Sequence, residues 1–127
     1  MMTGDIFRCA TTVLAAAALI AAPQAQAAGD AGRGKAAFGA CSACHSVIAG
    51  KNGVGPSLFG VAGRHAGTAP GYSYSAAMKA SGAWTAQQLD AYLANPKAAI
   101  PGNKMPFSGV SDPQKRADII AYLATLK

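Results

Sequence analysis

Cys41-Ser42-Ala43-Cys44-His45 is the stretch on which the reading of this chain turns. Two cysteines three positions apart, followed at once by a histidine, form a C-x-x-C-H run, the attachment signature of a c-type haem. The spacing has a chemical reason. Thiols at that separation reach the two vinyl groups on one edge of a porphyrin and form thioethers. The adjoining imidazole of His45 then ligates the iron from one face. Five residues thus fix a cofactor, its orientation and one axial ligand, and the remaining chain is expected to wrap it.

Toward the N-terminus, Arg8 supplies a positive charge, residues 11–22 are nearly all apolar, Pro23 interrupts them, and Ala25-Gln26-Ala27 is an A-x-A cleavage site. That is the layout of a secretory signal peptide. The apolar run is shorter than the ~20 residues that span a bilayer. The sequence therefore predicts a cleaved signal over residues 1–27, export to the periplasm, no permanent membrane anchor, and a functional domain over residues 28–127. Cys9 precedes the apolar run and leaves with the signal, so Cys41 and Cys44 are the cysteines that remain.

Residues 28–127 make one small domain. Much of the chain's 51% hydrophobic content is alanine and aromatics are 7%, so large core side chains are scarce. A bulky apolar cofactor would supply the missing core volume. The net charge is +6. Basic surfaces serve nucleic acid, anionic membranes or acidic proteins. The lysines are scattered, without an aromatic-basic interleaving, which argues against nucleic acid and for an acidic protein partner.

Downstream, the pattern predicts three main helices joined by long loops, with no strand. Residues 29–40 read as a helix capped by Asp30 and leading into the haem motif. Residues 46–72 carry seven glycines and two prolines and read as a loop. A loop that long is acceptable if it folds over a flat cofactor. Residues 74–80 suggest a short helix. Thr85 and Gln88 form a capping box for a helix that buries Leu89, Tyr92 and Leu93 and stops at Asn95-Pro96. Residues 96–110, with three prolines and two glycines, read as devoid of regular structure. Ser111 or Asp112 can cap the last helix, with Pro113 at or near its first helical position, and its stripe is Ile119, Ile120, Leu123 and Leu126.

Other readings of the cysteines are weaker. A thioredoxin-like pair wants a βαβ context that is absent here. A zinc site needs four ligands, and the tetrad Cys41, Cys44, His45 and His65 lacks recognised finger spacing. For the second axial position, Met105 stands out from Met78. It lies in a Pro- and Gly-rich loop far downstream of the motif, the layout of His/Met ligation, which raises the reduction potential of the iron. Met78 reads mostly as a helix residue. An open sixth site would instead suit peroxide chemistry or gas sensing.

The mature chain resembles class I cytochromes c of the mitochondrial and cytochrome c2 type. The resemblance runs through Gly34 and Phe38, the C-x-x-C-H motif, Gly55-Pro56-Ser57-Leu58, Gly63-Arg64, Pro70-Gly71-Tyr72-Ser73-Tyr74 and Trp84. It continues through Tyr92-Leu93-Ala94-Asn95-Pro96-Lys97, Ile100-Pro101-Gly102-Asn103-Lys104-Met105-Pro106-Phe107 and the segment from Arg116 to Leu123. It implies a small all-α fold wrapped around one covalent haem c with its iron, and an electron carrier rather than an enzyme. It further implies that the Pro56 carbonyl accepts from the His45 ring, that Arg64, Tyr74 and Trp84 lie near a haem propionate, and that Tyr92 approaches the Met105 sulfur. Gly34, Phe38, Ile119 and Tyr122 should form the crossing of the first and last helices. Two departures stand out: Met78 occupies the place of an Asn usual in mitochondrial members, and Ala40 that of a frequent Lys. Lys51, Lys97 and Lys104 remain as docking candidates. The implied role is a monomeric carrier serving a bc1 complex, a terminal oxidase, a photosynthetic reaction centre or a periplasmic dehydrogenase.

Overall fold

The computed structural model describes residues 13, 15–19 and 28–127. Most of the signal-peptide reading, including Arg8, Cys9, Pro23 and the A-x-A site, lies outside the described residues. Residues 13 and 15–19 have no regular secondary structure and are exposed. Among the described residues no helix is long and apolar enough to cross a membrane.

Six helical segments follow in order: α1 (Ala31–Ala37), α2 (Gly39–Ser42), α3 (Ala76–Lys79), α4 (Ala86–Ala94), α5 (Pro96–Ala99) and α6 (Pro113–Leu123). The three longest, α1, α4 and α6, are the three main helices that the sequence predicts. The expected continuous helix over residues 29–40 is instead split at Phe38. The Phe38 N–H is shared between the Gly34 and Lys35 carbonyls at 2.9 and 3.3 Å. Gly32, Gly34 and Gly39 make the stretch a weak helix former, so the chain re-aims there and starts a new turn that carries Cys41.

Side chains cap the helices where the sequence suggested. Asp30 accepts from Arg33 N at 2.7 Å to open α1, and Asp112 accepts from Gln114 N at 2.9 Å to open α6. Thr85 Oγ1 accepts from Gln88 N at 3.1 Å. The reciprocal half of that capping box is not made, because Thr85 N donates instead to the Ala83 carbonyl at 2.9 Å. The main correction concerns residues 96–110. Helix α4 does end at Asn95, but a new turn, α5, begins at once. Asn95 Oδ1 accepts from Ala98 N at 3.2 Å, and Pro96 stands at the first helical position, where its missing N–H costs nothing. The proline that ended one helix starts the next.

Helices α1 and α6 cross through Gly34. A Cβ at that position would fall on the Asp118 carbonyl and crowd Tyr122, so glycine sets the separation of the two backbones. Phe38 meets Tyr122 edge to face with centroids 5.3 Å apart, and Ile119 is buried beside them. The four residues assigned to this crossing by resemblance are therefore all found there or beside it. Asp118, whose part the sequence did not reveal, is buried in the same seam. It accepts from Asp30 N at 2.8 Å, from Arg33 Nε and Nη2 at 2.9 and 3.0 Å, and from Gln114 Nε2 at 3.1 Å. Those donors, the Arg33 side chain first, hold its carboxyl well below the usual carboxylate range.

The described residues contain no strand, only an isolated antiparallel bridge between His65 and Ala83. Around it Trp84 N donates to the Arg64 carbonyl and Gly63 N to the Trp84 carbonyl, each at 2.8 Å. This short ladder ties the long glycine-rich loop to the entry of α4 and holds Arg64 beside Trp84. Phe38, Trp84, Leu89, Tyr92, Leu93, Ile119 and Leu123 form the centre of the core.

Candidate haem site

Helix α2 ends in the motif and its turn continues beyond it. Cys44 N and His45 N both donate to the Cys41 carbonyl, at 3.1 and 2.9 Å. Residues 41, 44 and 45 are spaced i, i+3 and i+4, so one helical turn turns all three toward the same side. They face a cavity of about 300 Å³, ligand-sized rather than water-sized. Every residue assigned to the haem from the sequence lines it: Cys41, Cys44, His45, Pro56, Arg64, Tyr74, Trp84, Tyr92 and Met105. Of the lysines named as docking candidates, Lys104 lines it, whereas Lys51 and Lys97 are exposed elsewhere.

The His45 ring is held from two sides. Its Nδ1 lies 2.7 Å from the Pro56 carbonyl. A carbonyl only accepts, so Nδ1 carries the proton and Nε2 keeps a free lone pair, the form that ligates a metal. Gly55 supports the ring face: a Cβ there would lie 2.5 Å from Cε1 and 2.9 Å from Nδ1. Only a residue without a side chain lets the backbone lie against the imidazole.

The thiols of Cys41 and Cys44 are not paired in a disulfide. Burial pushes the Cys41 thiol up, and the neighbouring Cys44 adds to the shift. A redox-active dithiol needs the opposite, a thiol made acidic by its surroundings. Among the described residues no three His, Cys, Asp or Glu side chains converge as a metal cluster, so the zinc tetrad with His65 is not assembled.

The remaining walls are apolar with a few aimed donors. Arg64 donates from Nη1 to the Phe59 carbonyl at 2.9 Å and from Nη2 to the Ser57 carbonyl at 3.4 Å. Its Nε is buried and has no partner among the described residues. A buried unspent donor on a cationic side chain calls for an anion. The Tyr74 hydroxyl accepts from Ala69 N at 3.1 Å, which leaves its own proton for another acceptor, and burial pushes its phenol up. Tyr92 packs on Trp84 with centroids 4.9 Å apart, and burial pushes its phenol up to about 12. The Tyr92 hydroxyl, assigned to the Met105 sulfur by resemblance, donates to Asn103 Oδ1 at a long 3.4 Å. Met78, read mostly as a helix residue, is in α3 and also lines the cavity.

These residues fit a covalent haem. Two adjacent thiols and an imidazole of fixed tautomer share one turn, a thioether lines the same apolar cavity, and an orphaned guanidinium nitrogen is ready for a carboxylate. Three contributors lie in stretches that carry the resemblance, but no role for them is legible in the sequence. The part played by Gly55 depends on which backbone the ring rests against, and those of Asn103 and Asp118 depend on how several side-chain bonds converge in the folded chain.

The chain belongs to the cytochrome c family, whose sequence model, described as cytochrome c, matches residues 31–127. It is 54% identical over 101 residues to a cytochrome c2 of Rhodopila globiformis, a match covering 78% of this chain and 95% of that one. Among solved structures, cytochrome cH from Methylobacterium extorquens superposes with a TM-score of 0.73 at 54% identity, covering 76% of this chain and 99% of that one. Cytochrome c2 from Rhodospirillum centenum gives 0.71 at 41% identity, covering 77% and 98%. The protein is thus a class I c-type cytochrome of the c2-like kind. It carries one covalent haem c with iron and transfers electrons rather than catalysing a reaction.

Proposed function

We propose that this cytochrome is a periplasmic one-electron carrier, matured by removal of residues 1–27, in which Cys41 and Cys44 hold the haem as thioethers and His45 and Met105 are the axial ligands. The observation that carries the reading is the His45 ring. Its Nδ1 proton is committed to the Pro56 carbonyl at 2.7 Å, and the ring borders the cavity that Met105 also lines. When bound, the haem supplies an iron that cycles between Fe(III) and Fe(II), one electron at a time.

The chain's own residues set the terms of that exchange. Nitrogen and thioether ligands together raise the reduction potential and leave no position open to a substrate. Arg64 and Tyr74 offer donors to a propionate. The apolar wall of Leu58, Val61, Leu89 and Leu93 excludes water. Ala40, Val54, Lys104 and Pro106 both line the cavity and are exposed, so they mark the rim that a partner approaches. Candidate partners are proteins with acidic docking surfaces: a bc1 complex, a terminal oxidase, a reaction centre or a periplasmic dehydrogenase.

The test has separable readouts. Protein made alongside a haem-attachment system should give a haem-stained band that survives denaturing electrophoresis. The stain should disappear when Cys41 and Cys44 are both replaced by Ala. The oxidised protein should show the weak absorption at about 695 nm expected of thioether–Fe(III) ligation, lost in Met105→Ala. No stain would defeat the covalent assignment, and no band would defeat Met105 as ligand. The mass of the exported protein should correspond to a chain starting at Ala28.

A further inference from the structure

The loop that presents Met105 has little backbone to hold it. Pro101 and Pro106 have no N–H to give, and among the described residues the exposed Lys104 is tied through its ammonium alone, which donates to the Ser73 carbonyl at 3.0 Å. The Asn103 side chain lies at the centre of this segment. Its Nδ2 donates to the Pro96 carbonyl at 2.8 Å and to the Ile100 carbonyl at 2.9 Å. Its Oδ1 accepts from Met105 N at 2.9 Å and, more weakly, from the Tyr92 hydroxyl at 3.4 Å. A carboxamide has two donor hydrogens and two acceptor lone pairs, and all four are used.

We infer that Asn103 is a positioning residue for Met105. Its saturated amide ties the methionine backbone to α4 and to both ends of α5, and so aims the thioether into the cavity. The inference rests on Met105 being an axial ligand. The side chain cannot be flipped, because that would set the amide hydrogens against the Met105 N–H and the oxygen against two carbonyls. Nor is it interchangeable. Aspartate keeps the acceptor and loses both donors, and threonine offers one donor in place of two. The turn α5 is what makes the arrangement possible, since Pro96 at its start and Ile100 at its end supply the two carbonyls. Asn95 is the natural comparison. Its side chain caps the same turn through Ala98 N at 3.2 Å but makes no hydrogen bond to Met105 or Tyr92.

An exogenous ligand that competes for the sixth position reports how well Met105 is held. Its apparent affinity scales with the fraction of molecules in which the methionine has let go. Imidazole titrated into oxidised holoprotein should bind Asn103→Ala about tenfold or more tightly than wild type, the size expected when a buried backbone donor loses its partner. Asn95→Ala should stay within about twofold of wild type, even if both variants unfold at lower denaturant concentration. Equal shifts in the two variants, or no shift in Asn103→Ala, would reduce Asn103 to a structural residue and overturn the inference. Should Asn103→Ala fail to hold haem, hydrogen exchange on the wild type decides. The Met105 amide and the Asn103 side-chain amide protons should exchange slowly, and exchange at the rate of an unstructured chain would overturn the inference. A wild type without the absorption at about 695 nm would instead defeat the ligand assignment itself, before any variant is made.

Discussion

The imidazole of His45 is held by a hydrogen bond at its edge and by the absence of a side chain against its face. The Pro56 carbonyl fixes the tautomer, and Gly55 leaves room for the ring. Gly55→Ala should therefore act on the ring and not on backbone freedom, since Gly55 is not among the glycines with positive φ. The added methyl must push the ring or the loop aside. The expected cost is about 1–3 kcal/mol, as for other overpacked sites, read as an earlier denaturant midpoint of the holoprotein. The reduction potential should move with it as the Pro56 bond loosens, and an unchanged midpoint and potential would show that the loop yields freely. At this scale the sequence was most legible where covalent chemistry constrains spacing. Cys41, Cys44 and His45 are marked out by the motif and Met105 by its loop, and all four line the cavity. Gly55 and Asn103 were not readable because their roles are set by atoms brought near in space, the His45 ring in one case and the carbonyls of α5 in the other.

At the scale of elements, caps and stops were legible because they are local chemistry. Asp30, Thr85 and Asp112 each bond an N–H within three residues. The turn α5 is not legible because Pro96 reads in sequence as a breaker, although at a first helical position it is a starter. The seam between α1 and α6 escaped in part. Gly34 and Phe38 have a recognisable pattern, whereas Asp118 within a helix usually means a solvated face. Here it is buried and gathers Asp30 N, Arg33 and Gln114. Its carboxyl is more acidic folded than unfolded, where the ordinary value is about 3.9. The folded state then binds fewer protons than the unfolded one between those two values. The stabilisation is full above pH of about 4 and is lost as the pH falls below it. Asp118→Asn should be less stable than wild type at neutral pH. Between pH of about 5 and about 2.5 its denaturant midpoint should fall less steeply than that of wild type. Parallel curves for the two proteins would mean that Asp118 is not the group protonated in acid.

At the scale of the whole molecule, charge and cavity are arranged together. The net charge of +6 was plain in the composition, but not where the acids stand. Asp118 pairs with Arg33 and Asp90 with Arg116, while Asp30 and Asp112 cap α1 and α6. Residues 31–89 and 91–111 contain no Asp or Glu, and every exposed residue at the cavity rim comes from those two stretches. Among the described residues the four Asp side chains thus belong to the α1, α4 and α6 elements, Asp112 reaching a pocket beside Ala40 and Phe107, while the charged residue among the exposed ones at the rim is Lys104. If the partner is acidic, as proposed, such a surface should steer it and govern the encounter rate more than the affinity. The bimolecular rate of electron transfer with an acidic redox protein should fall several-fold as ionic strength rises from about 0.01 to about 0.15 M, over which the screening length shortens from ~30 to ~8 Å. Lys104→Glu at the rim should slow the low-salt reaction more than Lys127→Glu at the end of the chain, provided the absorption at about 695 nm confirms that Met105 is still bound. As salt screens the charges, the two variants and the wild type should converge on one rate. A rate flat in salt would leave the contact to the apolar rim around Val54, and equal effects of the two reversals would mean that overall charge, not its placement at the cavity, does the steering.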